Sequence, residues 1–214
     1  MEKIRNLRPE EIALLQSQGC HAENWENVIV PVVFETKYIY NVRFSGTVIL
    51  GAFEKEFTLP GGVRKHSGLK NTTLHNCMLG DNVLIENTHN YIANYRIQDN
   101  CFIENVNVIV VDGQSSFGNN VLVSVLNETG GREVPIYDWL SAPMAYVIAL
   151  YRHRPKLIER LQELIAGYTR KITSDYGIIG ENSKIINTGT IRNVNIGKHV
   201  TIENCTRLEN GTVN

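Results

Sequence analysis

From Leu79 onward, a large apolar residue returns at every sixth position: Leu79, Ile85, Tyr91, Ile97, Ile103 and Ile109. The third position of these hexads reads Asp81, Asn87, Ala93, Asp99, Asn105 and Val111. The fourth reads Asn82, Thr88, Asn94, Asn100, Val106 and Asp112, so both columns favour residues that form turns. A second array carries Ile179, Ile185 and Ile191, loses one residue, and resumes with Ile196, Ile202 and Leu208. This period fits neither the period of about 3.6 of a helix nor plain strand alternation; it suits a short strand plus a corner, repeated. One apolar side chain per hexad then points into a narrow core. Stacking such units about 4.8 Å apart extends parallel ladders that align like residues.

Around the arrays the pattern changes. Residues 9–18 predict a short helix, with Pro9 in the first turn, Glu10 and Glu11 against the dipole, and Gly19 ending it. Residues 28–60 are strand-like, and Val42 and Val48 keep the six-residue step, which predicts an irregular first unit. Between the arrays, Met144, Val147, Ile148 and Tyr151 form one helical apolar face. Leu157, Ile158, Leu161, Leu164, Ile165 and Tyr168 form another, with Pro155 separating the two. Two such helices do not fit inside a narrow core, so they are expected on its flank or on another subunit. The expected organisation is a lead-in over 1–27, a first array over 28–127, a helical insertion over 128–175 and a second array over 176–214. The second array breaks off in mid-hexad with no capping helix, and is expected to continue in a longer chain.

Composition sharpens the repeat. There are 23 Asn in 214 residues, and 11 of them lie between Asn71 and Asn120. Asn tolerates left-handed backbone and bonds its own chain in turns, so corners account for the excess. With 21 basic and 22 acidic residues the net charge is −1, which argues against a general nucleic-acid or polybasic membrane surface. No apolar run approaches the ~20 residues of a membrane span, and the opening residues lack a signal-peptide core. A cytoplasmic location is expected. Cys20, Cys77, Cys101 and Cys205 are scattered without a paired spacing, so no metal site is expected and all four should be free thiols.

The hexads Leu79-Gly80-Asp81-Asn82-Val83, Ile179-Gly180-Glu181-Asn182-Ser183 and Ile196-Gly197-Lys198-His199-Val200 resemble the hexapeptide repeat of the left-handed parallel β-helix superfamily. That superfamily includes bacterial trimeric acyltransferases and the carboxy-terminal parts of sugar nucleotidyltransferases. The resemblance covers residues 79–114 and 179–212, and extends to 28–60. It implies a mainly β fold, a left-handed parallel β-helix with a short N-terminal helix and a two-helix insertion. It also implies a homo-oligomer, trimer first. The segment Gln18-Gly19-Cys20, Trp25 and the stretch from Asn127 to Arg154 resemble a bacterial group of longer, uncharacterised β-helix proteins.

The same resemblance supplies a chemistry. Members of the acyltransferase branch use a histidine of the repeat as general base on an amine or hydroxyl that attacks a thioester. His89, at the fifth hexad position, is the counterpart here, with a coenzyme A thioester as the co-substrate; the alternative is a solvent-facing repeat residue. His75 and His199 are weaker counterparts. From the residues themselves, Asn127, Glu128 and Arg132 form a candidate substrate-binding group. Glu128 would orient a polar ligand, Gly130 and Gly131 would allow close approach, and Arg132 would fork onto a phosphate or carboxylate of a sugar nucleotide. The alternative is an exit loop with Arg132 in a local salt bridge. Arg64-Lys65-His66 would hold an anion or form a solvated basic turn. No phosphate loop or dinucleotide-binding glycine motif is present. Acyl transfer, small-molecule binding and a purely structural scaffold remain as readings.

Overall fold

The structure, a computed structural model, describes residues 4–124 and 130–214. Its first part runs β1 (Ile4–Asn6), α1 (Pro9–Ser17), β2 (His21–Ala22), β3 (Val28–Pro31), β4 (Ile39–Ser45), β5 (Val48–Ile49), β6 (Glu56–Thr58) and β7 (Arg64–His66). Then follow β8 (Gly68–His75), β9 (Met78–Leu79), β10 (Leu84–Ala93), β11 (Tyr95–Ile97) and β12 (Phe102–Val110). An insertion contains β13 (Val121–Ser124), β14 (Glu133–Ile136), α2 (Ala142–Leu150) and α3 (Pro155–Ile172). The chain returns through β15 (Gly177–Ile179), β16 (Lys184–Ile196), β17 (Thr201–Glu203) and β18 (Arg207–Val213). The protein is mainly β.

Fourteen strands form one sheet. The sheet is mixed, because β1 runs antiparallel to β3 while the long pairs β4–β8, β8–β10, β10–β12, β12–β16 and β16–β18 are parallel. The registers align inward apolar residues, the hexad leaders other than Tyr91 among them, in three columns. The first joins Ile39, Leu69, Ile85, Ile103, Ile185 and Ile202. The second joins Phe44, Leu74, Ile92, Ile109, Ile191 and Leu208. The third joins Leu79, Ile97, Ile179, Ile196 and Val213. All three belong to or pack on one core. Fully burying one such side chain stabilises the fold by about 1.5–3 kcal/mol relative to exposure.

The columns are joined by left-handed corners. Of the 16 non-glycine residues with positive φ among the described residues, 14 are Asn, so the corners explain the composition. Most L residues incur about 1–2 kcal/mol there, and Asn less, because its short amide bonds locally.

One hexad departs from its expected register. Tyr91 is 43% exposed and Ile92 is fully buried, so Ile92 takes the inward place. The cause is a bulge. Thr88 pairs with Val106 but Tyr91 pairs with Val108, so β10 holds one more residue than β12 at this corner.

Phe102 pairs with Lys184 across the insertion, and the offset stays constant to Val110 and Arg192, so the ladder closes as though the insertion were absent. The insertion opens with an antiparallel hairpin, β13–β14, where helix alone was expected. Its helices do not pack into the main core. Val134 of β14, Ile148 and Ala149 of α2 and Ile165 of α3 form a second, smaller core. Ser141 caps α2 by accepting from the Met144 amide, and Pro155 opens α3. The β6–β7 hairpin lies over the outer face of the ladder, where Phe57 meets Phe102 edge-on at 5.4 Å between ring centres.

Candidate functional site

The bulge in β10 creates the site around His89. It lifts His89 and Asn90 outward at a corner where side-chain amides form a ladder of their own. Asn41 Nδ2 donates to Asn71 Oδ1 at 3.0 Å, and Asn71 Nδ2 donates to Asn87 Oδ1 at 2.9 Å. At the next rung His89 takes over, with Nε2 2.7 Å from Asn105 Oδ1, and Asn105 Nδ2 donates to Asn187 Oδ1 at 2.6 Å. The last bond fixes the orientation of the Asn105 amide. Its Oδ1 only accepts, so His89 Nε2 carries a proton, and in the neutral imidazole Nδ1 holds the lone pair. Among the described residues Nδ1 has no protein partner.

A shallow groove of about 370 Å³ runs beside this ladder, lined by His21, Arg43, Asn71, Thr73, His89 and Asn90 among others. Its walls come from the segment after α1 and from β4, β8 and β10. It is polar, and Arg43 is its exposed cation. The chemistry available is hydrogen bonding to a polar ligand, one charge for an anion, and a basic imidazole nitrogen.

The other candidates separate from it. Asn127 and Glu128 lie outside the described residues. Arg132 is exposed in the turn between β13 and β14, after Gly130 and Gly131 with φ of 85° and 90°. It does not line the His89 groove: His89 sits on a ladder corner and Arg132 on the insertion.

Arg64, Lys65 and His66, expected in a turn, form strand β7 and are not a free anion site either. Lys65 Nζ lies 2.9 Å from Glu86 and 2.7 Å from Glu104, carboxylates that are neighbours on β10 and β12. Although partial burial opposes the charge, its two carboxylate partners raise the ammonium above its ordinary value. His66 stacks on Tyr38 at 3.5 Å between ring centres, and Arg64 faces Glu56 at 3.5 Å. The segment is basic in sequence and neutralised in space.

His75 belongs to a relay that the sequence pattern did not reveal, because its members come from two strands, β4 and β8, and from the residues that follow β2, β4 and β8. Asn76 Oδ1 accepts from the Thr47 amide, which turns Asn76 Nδ2 toward His75 Nε2 at 2.9 Å. The His75 proton is therefore on Nδ1, 2.8 Å from Ser45 Oγ. The Ser45 hydroxyl in turn holds Glu23 below the usual carboxylate range. His75 donates to Ser45 Oγ rather than taking its proton, so this imidazole does not activate the serine as a nucleophile. His199 occupies a left-handed corner, φ 58°, where the neighbouring rung has Asn182.

Among the described residues no group of three or more His, Cys, Asp or Glu side chains is arranged to hold a metal ion. Among them, no helix is long and apolar enough to cross a membrane.

An uncharacterized protein of Treponema pallidum (strain Nichols) is 26% identical over 226 aligned residues, spanning 98% of this chain and 30% of the relative. The chain thus covers under a third of that relative's length. No solved structure matches it. A family model described as "Domain of unknown function (DUF4954)" matches residues 4–214, and the chain belongs to that family.

Proposed function

We propose that the ladders wind as a left-handed β-helix of hexapeptide repeats and that the chain works as a rigid scaffold carrying a polar groove. The observation behind this reading is the use made of the polar side chains. The asparagine amides at the His89 corner are spent on each other, from Asn41 through Asn187, rather than turned toward a ligand. Three apolar columns in register supply the rest of a stiff rod. The experiment is a thermal scan against coenzyme A and common sugar nucleotides. The scaffold reading expects no change in melting temperature. A rise that Arg43→Ala abolishes would replace it with ligand binding in the groove.

A second reading, acyl transfer, is favoured by the His89–Asn105 bond. His89 Nδ1 would take the proton of an acceptor amine or hydroxyl bound in the groove as that atom attacks the thioester carbonyl. The C–S bond would break, and the thiolate of coenzyme A would leave and recover a proton. Here the acceptor is a sugar nucleotide or amine, and a trimer supplies the other wall. Incubation with acetyl coenzyme A and amino-sugar nucleotides, read as free thiol, tests it. Turnover lost in His89→Ala supports this reading.

A further inference from the structure

The near-zero charge of the chain conceals a local asymmetry. Between Trp139 and Ile158 there is no Asp or Glu, while Arg152, Arg154 and Lys156 give that stretch +3 against −1 for the whole. Of the 19 large hydrophobic residues that stand exposed among the described residues, ten fall between Val121 and Leu164. The two features meet at α2. This helix carries no charged side chain. One of its faces is used, since Ile148 and Ala149 are buried and Met144 and Ala145 pack on the same small core. The opposite face presents Ala142, Tyr146 and Leu150, which follow at four-residue steps and are all exposed.

That stripe runs directly into the basic turn. The Tyr146 ring meets Tyr151 at 6.1 Å, and Tyr151 meets His153 at 5.4 Å. Arg152 is engaged, donating to the Glu133 carbonyl at 2.7 Å. Arg154 and Lys156 are exposed, and among the described residues neither has an ion-pair partner. Uncharged aromatic and leucine side chains beside free cations, without acidic residues, match the chemistry of a bilayer's headgroup boundary. The His89 groove is lined by other residues, so the stripe is not part of it.

We propose that the outer face of α2 and the turn after it dock on an anionic lipid surface. Tyr146, Leu150 and Tyr151 enter at headgroup depth, and Arg154 and Lys156 meet the lipid phosphates. Docking is peripheral, because the nine residues of α2 are far too short to span.

The test is cosedimentation of the full chain with phosphatidylcholine vesicles containing about 30% phosphatidylglycerol, against phosphatidylcholine alone. Anionic vesicles should bind at least about tenfold better, and salt near about 0.5 M should release the protein. Arg154→Glu with Lys156→Glu should weaken binding by about tenfold or more. Leu150→Ser should weaken it too while leaving the melting temperature in place. Wild type that ignores anionic vesicles, or binds neutral ones equally, overturns the proposal. So does a dimer in light scattering that Tyr146→Ser dissociates, which would give the face to a second copy. Binding to polyglutamate without binding to vesicles would assign it to an acidic polypeptide and equally overturn it.

Discussion

Asn105 accepts the Nε2–H of His89 at 2.7 Å and hands its own amide hydrogen to Asn187 at 2.6 Å. The imidazole is thereby tied into a side-chain ladder in which its ring nitrogens have unequal roles. The bond predicts a single neutral tautomer. Nitrogen-15 spectra of the neutral protein should show His89 protonated at Nε2 only, and Asn105→Ala should bring in the Nδ1-protonated form. A mixture of tautomers in wild type would refute the link.

The corners predict a reversal of the usual order of substitutions. Asn71 has φ 49° and bonds Asn41 on one side and Asn87 on the other. Asn71→Ala loses both bonds and strains the left-handed backbone, so it should cost about 2 kcal/mol. Asn71→Gly loses the same bonds without the strain and should cost visibly less, although glycine is the more flexible residue. Urea titration of both variants checks this. Equal losses would mean that backbone conformation contributes nothing here.

The bulge separates two adjacent residues sharply. Ile92 faces the core between Leu74 and Ile109, whereas Tyr91 is 43% exposed. Ile92→Asp should unfold the protein, because an unpaired buried charge costs several kcal/mol. Tyr91→Asp should melt within a few degrees of wild type. Ile97→Asp should behave as Ile92→Asp, since Ile97 is only 2% exposed. The opposite ranking of Tyr91 and Ile92 would put the register back on the strict six-residue step.

What was legible follows from the same pair. Leu79, Ile85, Ile97, Ile103 and Ile109 are all buried, since a six-residue sequence repeat marks one inward apolar position per unit. Tyr91 broke the rule because an inserted corner residue shifts the frame locally, and its apolar neighbour hid the shift. The closure of Phe102 on Lys184 is a tertiary event with no local signature. At the site, His89 could be named from its hexad position, but Arg43 and His21 reach the groove from segments far away in sequence. Lys65 misled for the converse reason. Its neutralising carboxylates, Glu86 and Glu104, are distant in sequence and adjacent in the sheet.

The thiols should divide by accessibility. All four cysteines are free, with Cys20, Cys77 and Cys101 buried and Cys205 partly exposed. Burial pushes the Cys77 thiol up to about 12 and the Cys101 thiol up to about 11. Only thiolates attack disulfide reagents rapidly. The native protein should release one equivalent quickly, at Cys205, and the remaining three only in denaturant. A fast second equivalent would place another cysteine at the surface.

The acid side of the stability curve should be shaped in part by Glu11. Arg5 binds it with both nitrogens, at 2.8 and 2.6 Å, and the Arg8 amide donates to it at 2.8 Å. The Arg5 hydrogen bond is the main influence that holds Glu11 below its ordinary carboxylate value, against partial burial that would raise it. The folded state thus binds this proton more weakly than the unfolded one. The stabilisation is complete above the unfolded value, near about 4.3, and is lost as the pH falls through the folded value. Glu11→Gln should cost about 1 kcal/mol at neutral pH. The difference should vanish as the pH drops below the folded value, because wild-type Glu11 is then also neutral. Urea titrations of both proteins at neutral pH and at successively lower pH would show the two curves converging. A gap that persists in acid would assign the loss to geometry at the start of α1 rather than to charge.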